Sequence, residues 1–148
     1  MRLRHLEDLM LGTRFSCGGF SLSRAEIIAF ASRFDPQPFH LDEEAAQATY
    51  FKGLCASGIH TQAAALGCVI RTLSDIAVIA GGSLDQARFH VPVRPDTRYE
   101  VEAWWHEARP SASNPARGVA SVRGIVRAAA GPVVIEFGVT YVIARRPA

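Results

Sequence analysis

The 148-residue chain is 49% hydrophobic and 20% charged with a formal net charge of +2, a balance that suits a globular domain with its own core and excludes a low-complexity or polyelectrolyte chain. Its sixteen Lys and Arg are scattered rather than gathered into a stripe, so nucleic acid is not an expected partner. Cys17, Cys55 and Cys68 are odd in number and form no Cys-x-x-Cys, which fits reduced thiols and neither a disulfide framework nor a zinc site.

The opening MRLRHLEDLM has charges throughout and no apolar stretch of the kind a signal peptide needs. A strand and turn are expected around Gly18-Gly19. Ser23-Arg-Ala-Glu26 is a capping box, and Ile27, Phe30, Ala31 and Phe34 recur behind it at helical spacing, which predicts a short amphipathic helix over 24–33. Asp35-Pro36 ends it, because a residue before proline is pushed out of the helical region. Asp42 reads as the N-cap of a second short helix, with Glu43 and Glu44 at the positive end of its dipole.

A longer helix is predicted from Gly58 to about Ala80, closed by Gly81-Gly82, with small residues on several faces that a curved sheet can approach closely. The apolar run from Ala63 to Gly81 is broken by Arg71 and Asp75, so it does not read as a membrane span, and a cytoplasmic location is expected. From Leu84 the period changes to two: Phe89, Val91 and Val93; then Tyr99 to Trp105; then Ala120 to Val126; then Val133 to Ile143. Helices segregated from a four-strand antiparallel meander, joined by the earlier strand, make the fold class α+β, in one domain over residues 1–148.

The chemistry concentrates in FDPQPFHLDEE, Phe34 to Glu44. Asp35 and His40 lie five apart with Pro36 and Pro38 between them, and two prolines stiffen the intervening backbone enough to hold an acid–base pair over one reacting atom. The spacing alone leaves two other readings open: a helix-ending Asp beside an ordinary turn His, or N and O ligands with Asp42. No other part of the chain offers a completing ligand spacing, so no metal is expected. In GLCASGIHT, Gly53 to Thr61, the Gly58 and Ile59 amides at a helix N-terminus are candidate oxyanion donors; the plainer alternative is a close-packed helix start capped by Ser57.

Together, FDPQPFHLDEEAA, the ASGIHT helix start and RFHVPVRPDTRYEVEAWW resemble the MaoC-like dehydratases and their relatives, the (R)-specific enoyl-CoA hydratases. Asp35, Pro38, His40 and Asp42 match a motif that runs approximately D-x-N-P-x-H-x-D. The resemblance implies a hot-dog fold, a curved antiparallel sheet of about five strands wrapped around a long central helix. It also implies reversible hydration of a trans-2-enoyl thioester, with CoA thioester as substrate and no further cofactor. Asp35 and His40 would hold a water, Asp35 taking its proton and His40 delivering one to Cα, while the Gly58 amide stabilises the thioester oxygen. Ser57, Ile59 and Phe39 are expected to contact substrate, and a homodimer would pass the pantetheine arm between subunits. A hot-dog thioesterase is disfavoured, because the helix from Gly58 carries no acid before Asp75. A non-catalytic acyl-CoA or partner-binding module is the other alternative.

The remaining expectations are plainer. Gln37 stands where the motif has Asn and is expected to brace the turn less well. His40, on a loop, should not hold the core. His60 reads as a packing residue, His90 and His106 as surface, and Cys55 lacks a partner base. At most one of Trp104 and Trp105 is core. Arg88, Arg94 and Arg98 have no stronger claim on CoA phosphates than solvated strand positions have.

Overall fold

The computed structural model describes residues 2–148. After a 3-10 turn at Leu6–Asp8 the elements are β1 (Arg14–Phe20), α1 (Arg24–Phe34), α2 (Pro38–Leu41), α3 (Glu43–Gln47), α4 (Gly58–Thr72), β2 (Val78–Phe89), β3 (Tyr99–Pro110), β4 (Arg117–Ala128) and β5 (Val133–Ala144). The strands form one antiparallel five-stranded sheet in the order β1-β3-β4-β5-β2.

Local chemistry explains the helical half. The capping box forms as expected: Ser23 Oγ accepts from the Glu26 amide at 3.1 Å, and Glu26 Oε2 accepts from the Ser23 amide at 2.7 Å. α1 buries Ile27 and Ala31 and stops at Asp35. α2 begins on Pro38, where the missing amide hydrogen costs nothing because that N–H would be unpaired in any case. Asp42 caps α3, its Oδ1 accepting from the Ala45 amide at 2.7 Å. The segment expected to be a stiff loop is therefore partly helical: α1 runs to Phe34 and α2 starts on Pro38 itself, leaving only residues 35–37 between them.

α4 is shorter than the sequence suggests. It ends at Thr72, and Gly81-Gly82, expected to close it, lie inside β2. The N-terminal segment provides the reason. Arg4 grips the Asp75 carboxylate through Nε at 2.6 Å and Nη2 at 2.9 Å, and its backbone exchanges hydrogen bonds with Asp75 and Ala77 at 2.8 Å each. These bonds follow the turn at residues 73–75, bridge Arg4 to Ile76 and direct the chain into the sheet. β2 then pairs with β5 from Val78↔Ile143 to Phe89↔Ile135, interrupted by three irregularities. Each added residue shifts the side-chain alternation, so the period of two is invisible in sequence before Leu84.

Two further corrections follow from the strand order. Only β3, β4 and β5 form a meander, with β1 and β2 at the edges. Val91 and Val93 have left the strand; Val93 instead accepts from the Ala56 amide at 2.8 Å, tying the β2–β3 connection to the start of α4.

α4 lies against β1 and β3 and buries Thr61, Ala65, Cys68 and Val69, a stripe at i, i+4, i+7 and i+8. Ala63 and Ile70 on its other side are exposed, so only one small-residue face is covered within the subunit. The sheet supplies the rest of the core through Val101, Ala103, Trp105, Val122, Val126, Ile135 and Ile143. Trp105 is the core tryptophan; Trp104 points outward with the Arg14 guanidinium 4.4 Å over its ring. No helix among the described residues is long and apolar enough to cross a membrane.

Ile135 is fully buried between strands of that core. Ile135→Ala should lower unfolding free energy by about 2–5 kcal/mol in a denaturant titration, with the slope of the transition unchanged.

Candidate active site

Asp35 sits at the C-cap of α1 and His40 on the third position of α2, so two helix ends fix the pair. His40 Nε2 lies 3.4 Å from Asp35 Oδ2. On its other side, His40 Nδ1 is 2.7 Å from the Cys55 carbonyl oxygen. A carbonyl can only accept, so Nδ1 carries the hydrogen, and in the neutral ring the lone pair is on Nε2, facing Asp35. The ring is held edge-on by Phe39 at 4.6 Å, and Phe39 is backed by Phe51 at 4.7 Å.

Asp35 has both oxygens engaged. Ser57 Oγ donates to Oδ2 at 2.7 Å, and the Gln37 side-chain amide donates to Oδ1 at 2.8 Å. The Ser57 hydroxyl first, and then the Gln37 amide, hold the Asp35 carboxyl below its ordinary range, against the burial that acts to raise it. Asp35 therefore stays ionised and presents lone pairs to the space beside Nε2.

That space opens into a pocket of about 500 Å³. Asp35 and His40 lie on its wall with Phe39, Gly58, Ile59 and Phe89. Ile59 is more than half exposed at the mouth, and the amides of Gly58 and Ile59 belong to the first turn of α4, where backbone N–H groups have no helical partner. A Cβ on Gly58 would stand 2.7 Å from the Phe89 ring, so glycine lets that ring pack directly against the start of α4.

Several expected site residues take other parts. Ser57 is fully buried and absent from the pocket wall; it occupies the N-cap position of α4, yet its hydroxyl goes to Asp35 rather than to the helix. Gln37, expected to brace poorly, reaches Asp35 directly. His40 is 6% exposed and hydrogen-bonded inside the fold, so it is a structural residue as well as a candidate acid–base group. Asp42 turns away to cap α3.

Cys55 is buried, and burial pushes its thiol up, away from nucleophile chemistry. His60 stacks flat on Phe30 at 4.4 Å, and burial lowers its pKa, in keeping with a packing role. His90, read as surface, lies at the pocket mouth and bonds Glu136 Oε2 at 2.7 Å; its alternation with apolar residues gave no sign of this. Arg94, expected to be no more than a solvated strand position, lies outside the strands and is half-buried. Its guanidinium is turned inward on the backbone carbonyls of Phe51, Gly53 and Leu54.

A family model described as the MaoC like domain matches residues 13–128. The uncharacterized protein YdeM of Bacillus subtilis is 36% identical over 92 residues, a match that covers 62% of this chain and 65% of YdeM, just under two thirds of that relative's length. The solved MaoC-like dehydratase from Rhodospirillum rubrum is 36% identical, covers 98% of this chain and 99% of its own, and superposes with a TM-score of 0.85. The (R)-hydratase from A. caviae involved in PHA biosynthesis superposes with a TM-score of 0.72 over 91% of this chain and 97% of that one; at 19% identity the likeness is one of fold. The five-stranded sheet around α4 is the hot-dog fold. The chain belongs to the MaoC-like dehydratase family.

Two outcomes test the geometry. Ser57→Ala should raise the Asp35 titration midpoint, read from its side-chain carboxyl by NMR. Because that midpoint is depressed in the fold, Asp35 contributes stability that is present above the ordinary carboxylate range and is lost as pH falls through the lowered folded value, and the variant should lose part of it. His40→Ala should lower stability by about 1–3 kcal/mol in thermal or denaturant unfolding, because the Cys55 carbonyl and the pocket-lining rings lose a buried partner.

Proposed function

We propose that this MaoC-like protein adds water reversibly across the double bond of a trans-2-enoyl thioester, CoA-linked, to give the 3-hydroxyacyl thioester. The observation that carries the reading is the pairing of a locked Nδ1–H imidazole with an ionised carboxylate 3.4 Å from its Nε2, on the wall of an open pocket. Two acceptors this close can take both hydrogens of one water and turn its oxygen lone pair towards the pocket.

With Asp35 already accepting from Ser57 and Gln37, its carboxylate is a weak base, and Nε2 is the better proton acceptor. The roles therefore shift from those the resemblance implies. As the water oxygen bonds to Cβ, Nε2 takes one water proton, the C=C electron pair moves towards the thioester carbonyl, and the imidazolium returns that proton to Cα. Asp35 holds the second water hydrogen and stabilises the transient imidazolium. The Gly58 amide, at the positive end of α4, is the donor to the enolate-like oxygen. Phe39 and Ile59 contact the acyl chain, whereas Ser57 acts through Asp35.

The working form is a homodimer. β2 is an edge strand, and Ile79, Leu84, Phe89 and Val91 along and just beyond it are exposed, a liability that a second copy would cover. Phe89 belongs both to that rim and to the pocket wall. Sedimentation at micromolar concentration should give a dimer; a stable monomer would remove the shared-pocket part of the reading.

Crotonyl-CoA should lose its enoyl-thioester absorbance with the wild-type protein, and Asp35→Asn should cut kcat by about 10²–10⁴-fold. Release of free thiol would instead favour a thioesterase, although α4 carries no Asp or Glu at all. No change with crotonyl-CoA or with longer and branched enoyl-CoAs would leave a binding module.

A further inference from the structure

We propose that Arg94 is a positioning residue for His40: its guanidinium fixes the 51–55 segment that presents the Cys55 carbonyl to Nδ1, and thereby sets which imidazole nitrogen faces the substrate. The arginine is half-buried between the β2–β3 connection and the chain leading into α4. Nη1 donates to the Gly53 carbonyl at 2.8 Å and the Leu54 carbonyl at 3.3 Å, and Nη2 donates to the Phe51 carbonyl. A planar fork with fixed donor directions can hold three carbonyls of a short segment at once; an ammonium would hold them with less angular control. The arginine's own backbone amide is tied to Tyr99 Oη at 2.9 Å, and Tyr99 is buried in the core, so the anchor is rigid.

The segment it holds needs such a clamp. Lys52 and Gly53 have positive φ, at 56° and 151°, and a Cβ on Gly53 would meet Arg94 Nη1 at 3.2 Å. The segment does not belong to any helix or strand, so its carbonyls depend on side chains for partners. Two routes run from it to His40. One is direct, through the Cys55 carbonyl at 2.7 Å from Nδ1. The other is through packing, Phe51 on Phe39 at 4.7 Å and Phe39 on the imidazole at 4.6 Å. The residues that follow carry the remaining parts, since Ser57 holds Asp35 and Gly58 opens α4. With its donors turned inward on three carbonyls, Arg94 is a poor candidate for a CoA phosphate.

The kinetic arm of the test rests on the hydratase reading; the spectroscopic arm does not. Steady-state kinetics of Arg94→Lys and Arg94→Ala would be compared using crotonyl-CoA and crotonyl-N-acetylcysteamine, which lacks the nucleotide. Positioning predicts that kcat falls about 10–100-fold with both carriers in Arg94→Ala and less in Arg94→Lys, with KM within about twofold. A rise in KM confined to the CoA thioester would overturn it in favour of a phosphate contact. Imidazole ¹⁵N spectra of His40 should report Nδ1–H in the wild type and a tautomer mixture in the variants. An unchanged His40 spectrum in a folded variant would overturn the proposal whether or not the protein hydrates crotonyl-CoA. Arg94→Lys keeps the test open should Arg94→Ala fail to fold.

Discussion

Everything at the site depends on one hydrogen bond, from His40 Nδ1 to the Cys55 carbonyl. An imidazole has two nitrogens and, when neutral, one hydrogen, so pinning that hydrogen on the inner side leaves the outer nitrogen an acceptor. Had the inner partner been a donor, the ring would face Asp35 with N–H and donate directly to the carboxylate, leaving no lone pair on Nε2 to accept a proton. A backbone carbonyl has no such ambiguity. It also cannot titrate, so the assignment holds at every pH where the ring is neutral.

The carboxylate is controlled by the opposite device. Ser57 and Gln37 each donate to one oxygen of Asp35, which lowers its proton affinity and steers its remaining lone pairs. One group of the pair is thus held as a charge, and the other presents a free lone pair on Nε2 beside it. The fold delivers both from short pieces of chain: the end of α1, the first turn of α2, and the residue before α4. None of these is long enough to be stable alone, and what fixes them is their mutual capping and the sheet beneath. The start of α4 is tied to Val93, and its end is turned by the Arg4–Asp75 pair, so both ends of the central helix are set by distant residues.

Much of this was legible in sequence, and the reasons are specific. The capping box, the Asp42 cap and the Asp-Pro stop are local, and local rules fixed the helical half. Tyr99 to Trp105 and Val133 to Ile143 show the alternation because one face of β3 and β5 packs on the core and the other is more open. The first half of β2 was hidden because its bulges break the alternation and because Ala63 to Gly81, though interrupted by Arg71 and Asp75, is mostly apolar across both a helix and a strand. Candidate residues were legible as types, yet their partners were not. Nothing in the spacing says that the hydroxyl of a helix-capping serine will leave its helix for a carboxylate, or that Arg94 will turn inward.

Gln37 shows how a departure from a motif can still serve the site. The turn before α2 is tight, the Gln37 amide donating to the Asp35 carbonyl at 2.7 Å, which brings its side chain back over the residue it follows by two. From there the longer arm reaches the carboxylate itself and sets its amide 2.8 Å from Oδ1. A side chain shorter by one methylene would stop nearer the backbone and brace the turn instead. Gln therefore exchanges support of the loop for direct control of the carboxylate, and Pro36 and Pro38, which hold the backbone on either side, make that exchange tolerable. Gln37 also lines the pocket, so the residue that tunes Asp35 stands beside the open space the carboxylate faces.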